Sequence, residues 1–338
     1  MIADLSPLLP VAPGPMLAGT VRRNDGTLLT ESEVQERHRQ FLAAATADNT
    51  RRAYRSAIRH FYAWDGVLPC DTAMVTRYLL NYAPSLNPRT LALRLTALSQ
   101  WHRFQNFPDP TDDPELRKML RGIGRTHGKP KKKAKALPLE DLERMIVALS
   151  AKTDLAALRN SALLQLAFFG AFRRSEVVSL QVQDLAWESA GLVITLMHSK
   201  TDQQGLGVTR AIPYGAVDGI CCPVSAVKRW LDASGLSSGP VFRRITRWDR
   251  IGDEALYGGS INTILTTCAA AIQLPYTPEL SSHSFRRGLA TSAHLAGVNF
   301  LDIKRQGGWR HDGTVQGYIE EADQFRSNAA GNLLKRKR

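Results

Sequence analysis

The chain has 338 residues, a length that suits two domains, each able to bury its own core. With 43% hydrophobic and 22% charged residues, its composition excludes wholesale disorder and a fibrous class. The formal net charge of +13 at pH 7 favours a polyanionic partner, with nucleic acid as the first candidate. An anionic membrane surface would also suit this charge, but the most apolar stretch, 163–172, is too short to span a bilayer.

Residues 1–29 predict a flexible tail, because prolines interrupt them and they lack the basic start of a signal peptide. We therefore expect the protein to stay in the cytoplasm. Its cysteines show neither metal-ligand spacing nor a disulfide framework, which predicts reduced structural thiols. They are Cys70, Cys221, Cys222 and Cys268.

Residues 30–127 predict four or five short helices with basic faces. Their start signals are Thr30, Asn49, Asp71 and the pair Asn87-Pro88. In the helix near 49–65, arginines share one face and apolar residues another, and further arginines recur on the helices that follow. For one helix alone, a solvated surface is an equal alternative, but the repetition favours a surface that follows DNA phosphates. The predicted contacts are Arg52, Arg55, Arg59, Arg89 and Arg94.

Segment 128–138 has no periodicity and is rich in lysine, which marks a basic linker between two domains. Such a run is often only a solvated linker, or in another cell type an import signal. Because it joins two basic regions, we expect it to contact DNA. The lysines assigned to this contact are Lys131, Lys132 and Lys133.

The remainder, 139–338, predicts mostly helices with one small antiparallel sheet. Alternating residues near 191–198 and 209–213 predict two strands joined by a hairpin. The predicted helices cover 138–150, 158–180, 223–233, 260–271, 284–296 and 300–306.

Short patterns in this half contain the residue types of a phosphate-transfer site, although each pattern is weak alone. Arg173 and Glu176 are spaced to form an ordinary helix ion pair, and Lys200 is a lysine in a hairpin loop. A capping histidine beside a surface arginine would explain His283 and Arg286. Core packing would explain two aromatic residues, which are Trp309 after a Gly-Gly pair and Tyr318 near the end of a short helix beginning around residue 314.

The order of these residues, Arg, acid, Lys, His-x-x-Arg, Gly-Trp and Tyr, resembles the tyrosine recombinase (phage integrase) family, especially its Cre-like members. Phe172 and Arg174 depart from the family, which usually has leucine and an apolar residue there. The resemblance implies a helical, SAM-like core-binding domain followed by an integrase-type catalytic domain. It also implies a C-terminal segment, 323–338, that docks on a neighbouring protomer.

When the family's roles are assigned to the matching positions of this sequence, the resemblance makes Tyr318 the nucleophile that forms a 3′-phosphotyrosine. It makes Arg173 and Arg286 a phosphate clamp, with Glu176 as the supporting acid. The remaining roles are Lys200 as general acid, His283 as general base and Trp309 as a further phosphate contact. Such chemistry needs neither a metal nor another cofactor, because guanidinium groups can bind the phosphate oxygens and the covalent intermediate preserves the bond energy.

The family also implies double-stranded DNA with an inverted-repeat site, a homodimer on each site and a homotetramer in the synapse. Strand exchange through a Holliday junction and a nucleoid-associated location follow from the same resemblance, whereas accessory proteins stay open. Two alternatives remain at this point. One is a type IB topoisomerase that relaxes DNA, and the other is a DNA-binding regulator that has lost activity.

Overall fold

The computed structural model of the protein describes residues 21–23, 25–44, 46–130, 132–197, 207–217, 219–326 and 329–334. Most of the predicted N-terminal tail therefore lies outside the described residues. The chain divides into two compact units, Met1–Lys131 and Lys132–Arg338, and the division falls inside the predicted linker. Among the described residues, no helix combines the length and apolar character needed to cross a membrane.

The described part of the first unit is helical, as the sequence predicts. Side chains at the helix starts explain several boundaries: Asp71 accepts a hydrogen bond from the Met74 backbone, and Asn87 accepts one from Arg89. The helices are α1 (Glu31–Ala44), α2 (Asp48–Tyr62), α3 (Thr72–Tyr82), α4 (Pro88–Phe104) and α5 (Pro114–His127), with a 3-10 turn at Pro110–Asp112.

The core of the first unit is built from the apolar faces of α2, α3 and α4. Phe61, Tyr78 and Leu98 are almost fully buried, and the rings of Phe61 and Tyr78 meet edge to face with centroids 5.1 Å apart. Because these faces turn inward, α2 is left with a charged outer face.

The second unit is mainly helical, and its helices pack chiefly against one another, with two small sheets in addition. Its helices are α6 (Leu139–Ser150), α7 (Leu155–Phe169), α8 (Arg174–Ser179), α9 (Pro223–Ser234), α10 (Gly258–Ala271), α11 (His283–Leu295), α12 (Phe300–Gly307), α13 (Asp312–Asp323) and α14 (Ala329–Leu334), with 3-10 turns at Val182–Asp184 and Thr277–Glu279. Its strands are β1 (Leu185–Glu188), β2 (Gly191–Leu196), β3 (Val208–Pro213), β4 (Arg243–Ile245) and β5 (Ile251–Ala255).

The predicted strand pair is present as β2 and β3, but the expectation of one small sheet missed β1 and the hairpin of β4 and β5. Strands β1, β2 and β3 form one antiparallel sheet in that order, while β4 and β5 form a separate hairpin. The first strand has one buried residue in four, and β4 is only three residues long, so neither gives a clear alternation of apolar and polar residues.

The predicted helix over 158–180 is also wrong, because the chain turns between α7 and α8. Gly170 ends α7, and Ala171 adopts φ 46°, in the left-handed region that a helix cannot continue through. The turn makes Arg173 the residue that precedes α8 rather than a residue inside a long helix.

The end of the predicted linker belongs to the second unit and packs into its core. Leu137 is fully buried, and its backbone N–H donates to the Ser284 carbonyl at 3.2 Å. A Cβ on Gly288 would lie 2.1 Å from the Leu137 carbonyl oxygen, so this close approach requires glycine. The contact fixes the first turns of α11, which bear His283 and Arg286.

Candidate active site

Arg173 and Glu176 form the first part of the site at the start of α8. The Arg173 guanidinium donates to the Glu176 carboxylate at 2.6 Å, and the Arg173 backbone N–H donates to the other carboxylate oxygen at 2.8 Å. The Glu176 side chain is 3% exposed and that of Arg173 is 20% exposed. The carboxylate therefore holds Arg173 in place while part of the guanidinium still faces solvent.

Arg286 comes from α11 and reaches the same turn. It is 4% exposed, and its guanidinium donates to the carbonyl oxygen of Ala171, two residues before Arg173. Burial, followed by the nearby charge of Arg173, lowers the pKa of Arg286 to about 10. Arg286 is thus a buried cation that stays charged at neutral pH.

Trp309 and Tyr318 complete this side of the site. The Trp309 ring lies 4.7 Å from the guanidinium carbon of Arg286, a cation–π contact, and its centroid is 6.1 Å from that of Tyr318 at 69°. Trp309 also belongs to a small apolar cluster with Ala290 and Ile303. The Trp309 side chain therefore both packs in the apolar core and contacts Arg286 in the site.

Tyr318 lies in the middle of α13 rather than near the end of a short helix, so that prediction is wrong. The helix begins at Asp312 and continues to Asp323. The Tyr318 ring is half-buried against the apolar cluster, on the face that meets α11. A mid-helix position restricts the ring more than a frayed end would.

The structure brings five of the seven predicted catalytic residues into mutual contact or close electrostatic range. Arg173, Glu176, Arg286, Trp309 and Tyr318 form this group. His283 lies at the exposed start of α11, one turn before Arg286. Lys200 falls in the segment between β2 and β3, outside the described residues.

Sequence reasoning missed Arg210, a further buried arginine beside Arg173 and Arg286. Arg210 lies on β3 and is 7% exposed, and burial lowers its pKa, with Glu176 opposing and Arg173 reinforcing the shift. Its guanidinium reaches Gly308, because a Cβ there would lie 1.7 Å from an Arg210 Nη atom. Strand alternation gave a signal, since Arg210 and the buried Ile212 share one face of β3.

Arg287 and Glu321 were also missed. Arg287 pairs with Glu321, and its guanidinium carbon lies 5.1 Å from the centroid of the Tyr318 ring. Glu321 also accepts a hydrogen bond from Lys133. Partial burial opposes ionisation of Glu321, but Lys133 and Arg287 outweigh it and hold its pKa below the ordinary value.

The predicted DNA contacts have different surroundings. Exposed side chains occupy four of the helical positions, namely Arg52, Arg55, Arg59 and Arg89. Arg94 is half-buried and donates to the Tyr78 hydroxyl at 2.7 Å, which gives it a structural partner. Lys132 is exposed, Lys133 pairs with Glu321, and Lys131 lies outside the described residues. Arg174, beside the site, is exposed.

The cysteines in the described chain are free, and Cys268 is buried. Burial raises the pKa of the Cys268 thiol to about 11. Within the described ranges, no three His, Cys, Asp or Glu side chains are grouped as metal ligands would be.

Residues 135–324, more than half of the chain, match the sequence model of the phage integrase family. The chain belongs to the phage integrase family. This phage integrase is 33% identical over 303 residues to an integrase/recombinase XerD homolog of Selenomonas ruminantium, covering 87% of this chain and 88% of that protein. It is 25% identical over 301 residues to the recombinase Cre of Escherichia phage P1, covering 82% and 86%.

Solved structures share the fold of this phage integrase. The XerH site-specific recombinase bound to a palindromic difH substrate has a TM-score of 0.58 at 15% identity, covering 85% of this chain and 80% of that one. A lambda integrase tetramer bound to a Holliday junction has a TM-score of 0.56 at 16% identity, covering 87% and 78%. They confirm the mainly helical fold with an integrase-type catalytic domain.

Both curated relatives are recombinases, which favours tyrosine site-specific recombination over the topoisomerase and regulator alternatives.

Proposed function

We propose that this chain cuts and rejoins double-stranded DNA at a specific site through a covalent 3′-phosphotyrosine intermediate. The observation that carries the proposal is the convergence of two arginines and a tyrosine from separate elements. Arg286 bonds to the turn that holds Arg173, and Trp309 lies between Arg286 and Tyr318 as a contact of both. Planar cations beside a hydroxyl nucleophile suit a phosphodiester, whose oxygens gain charge during attack.

In the proposed cleavage step, the Tyr318 hydroxyl oxygen bonds to phosphorus as the bond to the deoxyribose 5′-oxygen breaks. A phenol is mostly protonated at neutral pH, so the step needs a base, and His283 takes the proton. Lys200 donates a proton to the departing 5′-oxygen. The base role draws support from the position of His283 one helical turn before Arg286.

The remaining residues hold the phosphate. Arg173 and Arg286 bind its nonbridging oxygens, and Trp309 adds a further contact. Glu176 does not touch the phosphate, because its carboxylate already binds Arg173 at 2.6 Å and fixes that guanidinium. A 5′-hydroxyl from another strand reverses the step, and the phosphotyrosine preserves the bond energy, so the reaction requires no ATP.

For the first unit, we propose a core-binding domain whose exposed arginines follow the DNA backbone, joined by the basic segment 128–138 to the catalytic domain. Arg52, Arg55 and Arg59 on α2 support this, since they are exposed on the face opposite the buried core. Arg89, Lys131 and Lys132 would extend the contact. Arg94 and Lys133 would contribute only by giving up or sharing their protein partners.

For assembly, we propose a homodimer on each inverted-repeat site and a homotetramer in the synapse, with strands exchanged through a Holliday junction. The C-terminal segment 323–338 supplies the contact between protomers. Its described part exposes apolar side chains that a monomer leaves unpacked: Phe325 is 86% exposed, Leu333 68% and Leu334 87%.

The proposal is tested in two stages. Wild-type protein is incubated with fragmented genomic DNA of its source and denatured, and DNA covalently bound to the protein is sequenced to define the site. A plasmid with two copies of that site is then treated with the protein. Deletion or inversion products support recombination, whereas relaxed plasmid without such products supports a topoisomerase, and no covalently bound DNA supports a regulator.

A further inference from the structure

Arg210 is a buried cation that pairs with no acid in the part of the chain that the structure describes. Among those residues, its guanidinium makes one weak hydrogen bond, from Nη1 to the Thr209 carbonyl at 3.4 Å, and its Nε makes none. Of the carboxylates in the described chain, none forms an ion pair with it. Glu176 is close enough to affect the pKa of Arg210, but its carboxylate forms its ion pair with Arg173.

This arrangement leaves excess positive charge around two buried arginines, Arg210 and Arg286, and the partly exposed Arg173. Three guanidinium groups, from Arg173, Arg210 and Arg286, influence one another electrostatically, and one carboxylate, Glu176, lies among them. Among the described residues, this group therefore carries two more positive charges than negative ones. A buried charge without a partner is costly, so such a cluster is expected where an anion will complete it.

The position of Arg210 connects it to both halves of the site. It lies on β3, just after the segment that contains Lys200, and its guanidinium rests on Gly308, whose φ is +58°. Gly308 is followed at once by Trp309, the ring that covers Arg286. Arg210 thus supports the turn at Gly308 that positions Trp309. It also places a positive charge next to that turn.

We propose that Arg210 is a third arginine of the scissile-phosphate site, a positioning residue whose charge stabilises the doubly negative phosphorane transition state from behind the Gly308 turn. The inference rests on the proposed function. In this role Arg210 acts through the electric field of its charge rather than through a bond to the substrate. Attack by an ionised tyrosine adds one negative charge to a phosphodiester that already carries one, which matches the two excess positive charges.

The test compares Arg210→Met, which keeps the length but removes the charge, with Arg210→Lys, which keeps the charge. Arg229→Met, at an exposed arginine on α9, is the matched control. Three quantities are measured: the rate of covalent adduct formation at saturating protein, the Kd for the DNA site, and the Tm of the DNA-free protein.

We expect Arg210→Met to slow adduct formation about 10- to 100-fold, less than the roughly 100- to 1,000-fold loss seen when a donor that touches the transition state is removed. Its Kd should stay within about threefold of wild type, because DNA affinity is spread over many backbone contacts. Its Tm should be equal or higher, because an unpaired buried charge has been removed. Arg210→Lys should recover most of the rate.

A wild-type rate in Arg210→Met would overturn the proposal. A lowered Tm with a slow rate that Lys does not restore would reduce Arg210 to a packing role and would overturn it as well. A further measurement needs no cleavage: sulfate at fixed ionic strength should raise the Tm of wild type more than that of Arg210→Met. Equal shifts would contradict the charge role even if the proposed function failed.

Discussion

Arg287 and Tyr318 are in direct contact, with the guanidinium carbon 5.1 Å from the centroid of the phenol ring. The same arginine binds Glu321, three residues beyond the tyrosine on α13, and Glu321 also binds Lys133. The α13 helix is therefore tied to α11 and to the end of the basic segment. These ion pairs fix the face of α13 from which the tyrosine projects.

The Glu321 contact predicts a pH-dependent contribution to stability. Because its pKa is lowered in the folded state, ionised Glu321 stabilises the fold above its ordinary pKa of 4.5, and this contribution is lost as pH falls further. We expect Glu321→Gln to lose roughly 0.5–1 kcal/mol at pH 7, as for other partly exposed pairs. Tm measured from pH 7 to pH 3 should show the gap closing at low pH.

Glu320→Gln is the matched control, because Glu320 is the exposed neighbour on the same helix. A gap for Glu321→Gln that does not change with pH would contradict this account of the ion pair.

Arg286→Lys should separate phosphate clamping from DNA binding. Lysine keeps one positive charge but loses the planar group that spans Ala171 and the Trp309 ring. We expect adduct formation to fall about 100-fold or more while Kd changes little. Gel-shift titration and single-turnover cleavage measure the two quantities, with Arg229→Lys as control. A proportional loss of both would indicate that Arg286 serves mainly ground-state binding.

Gly308→Ala tests the contact between the turn and Arg210. An alanine at positive φ costs about 1–2 kcal/mol through the backbone alone. Gly297 has φ +84° with no atom near its missing Cβ, whereas a Cβ on Gly308 would collide with Arg210. We expect both alanine variants to lose stability in urea unfolding, but only Gly308→Ala to slow cleavage as well. Equal cleavage rates in the two variants would argue against the Arg210 contact.

Removal of residues 328–338 should affect assembly rather than binding to one site. The segment contains Leu333 and Leu334, which are exposed in the single chain. We expect an unchanged Kd for a single site and fewer synaptic complexes between two sites, both read from native gels. Full-length protein carrying Leu333→Ser and Leu334→Ser provides a control for loss of the basic end. Undiminished synapsis in both proteins would remove this segment from the proposed protomer contact.

The sequence predicted the site residues best where spacing along the chain is itself the signal. Arg173 and Glu176 lie three positions apart and pair, although across the start of α8 rather than within a long helix. The prediction of one continuous helix over 158–180 failed at Gly170 and Ala171. Ala171 has a positive φ, which is uncommon for alanine and therefore could not be predicted from its residue type.

Residues that reach the site from another part of the chain were harder to find. Arg210 lies more than thirty residues after Glu176 and is recognised only from the register of β3, where it occupies an inward position opposite Ile194. The Arg287–Glu321 pair likewise depends on how α11 meets α13. Such contacts depend on long-range packing, which local sequence patterns do not reveal.

Tyr318 is the nucleophile of the proposed reaction, and a denaturing gel can show whether it bonds to DNA. Wild type, Tyr318→Phe and Tyr257→Phe are incubated with labelled DNA that carries the captured site; Tyr257 is an exposed tyrosine that keeps the comparison matched. We expect a covalent protein–DNA band for wild type and Tyr257→Phe, and none for Tyr318→Phe. A band that persists in Tyr318→Phe would contradict this role.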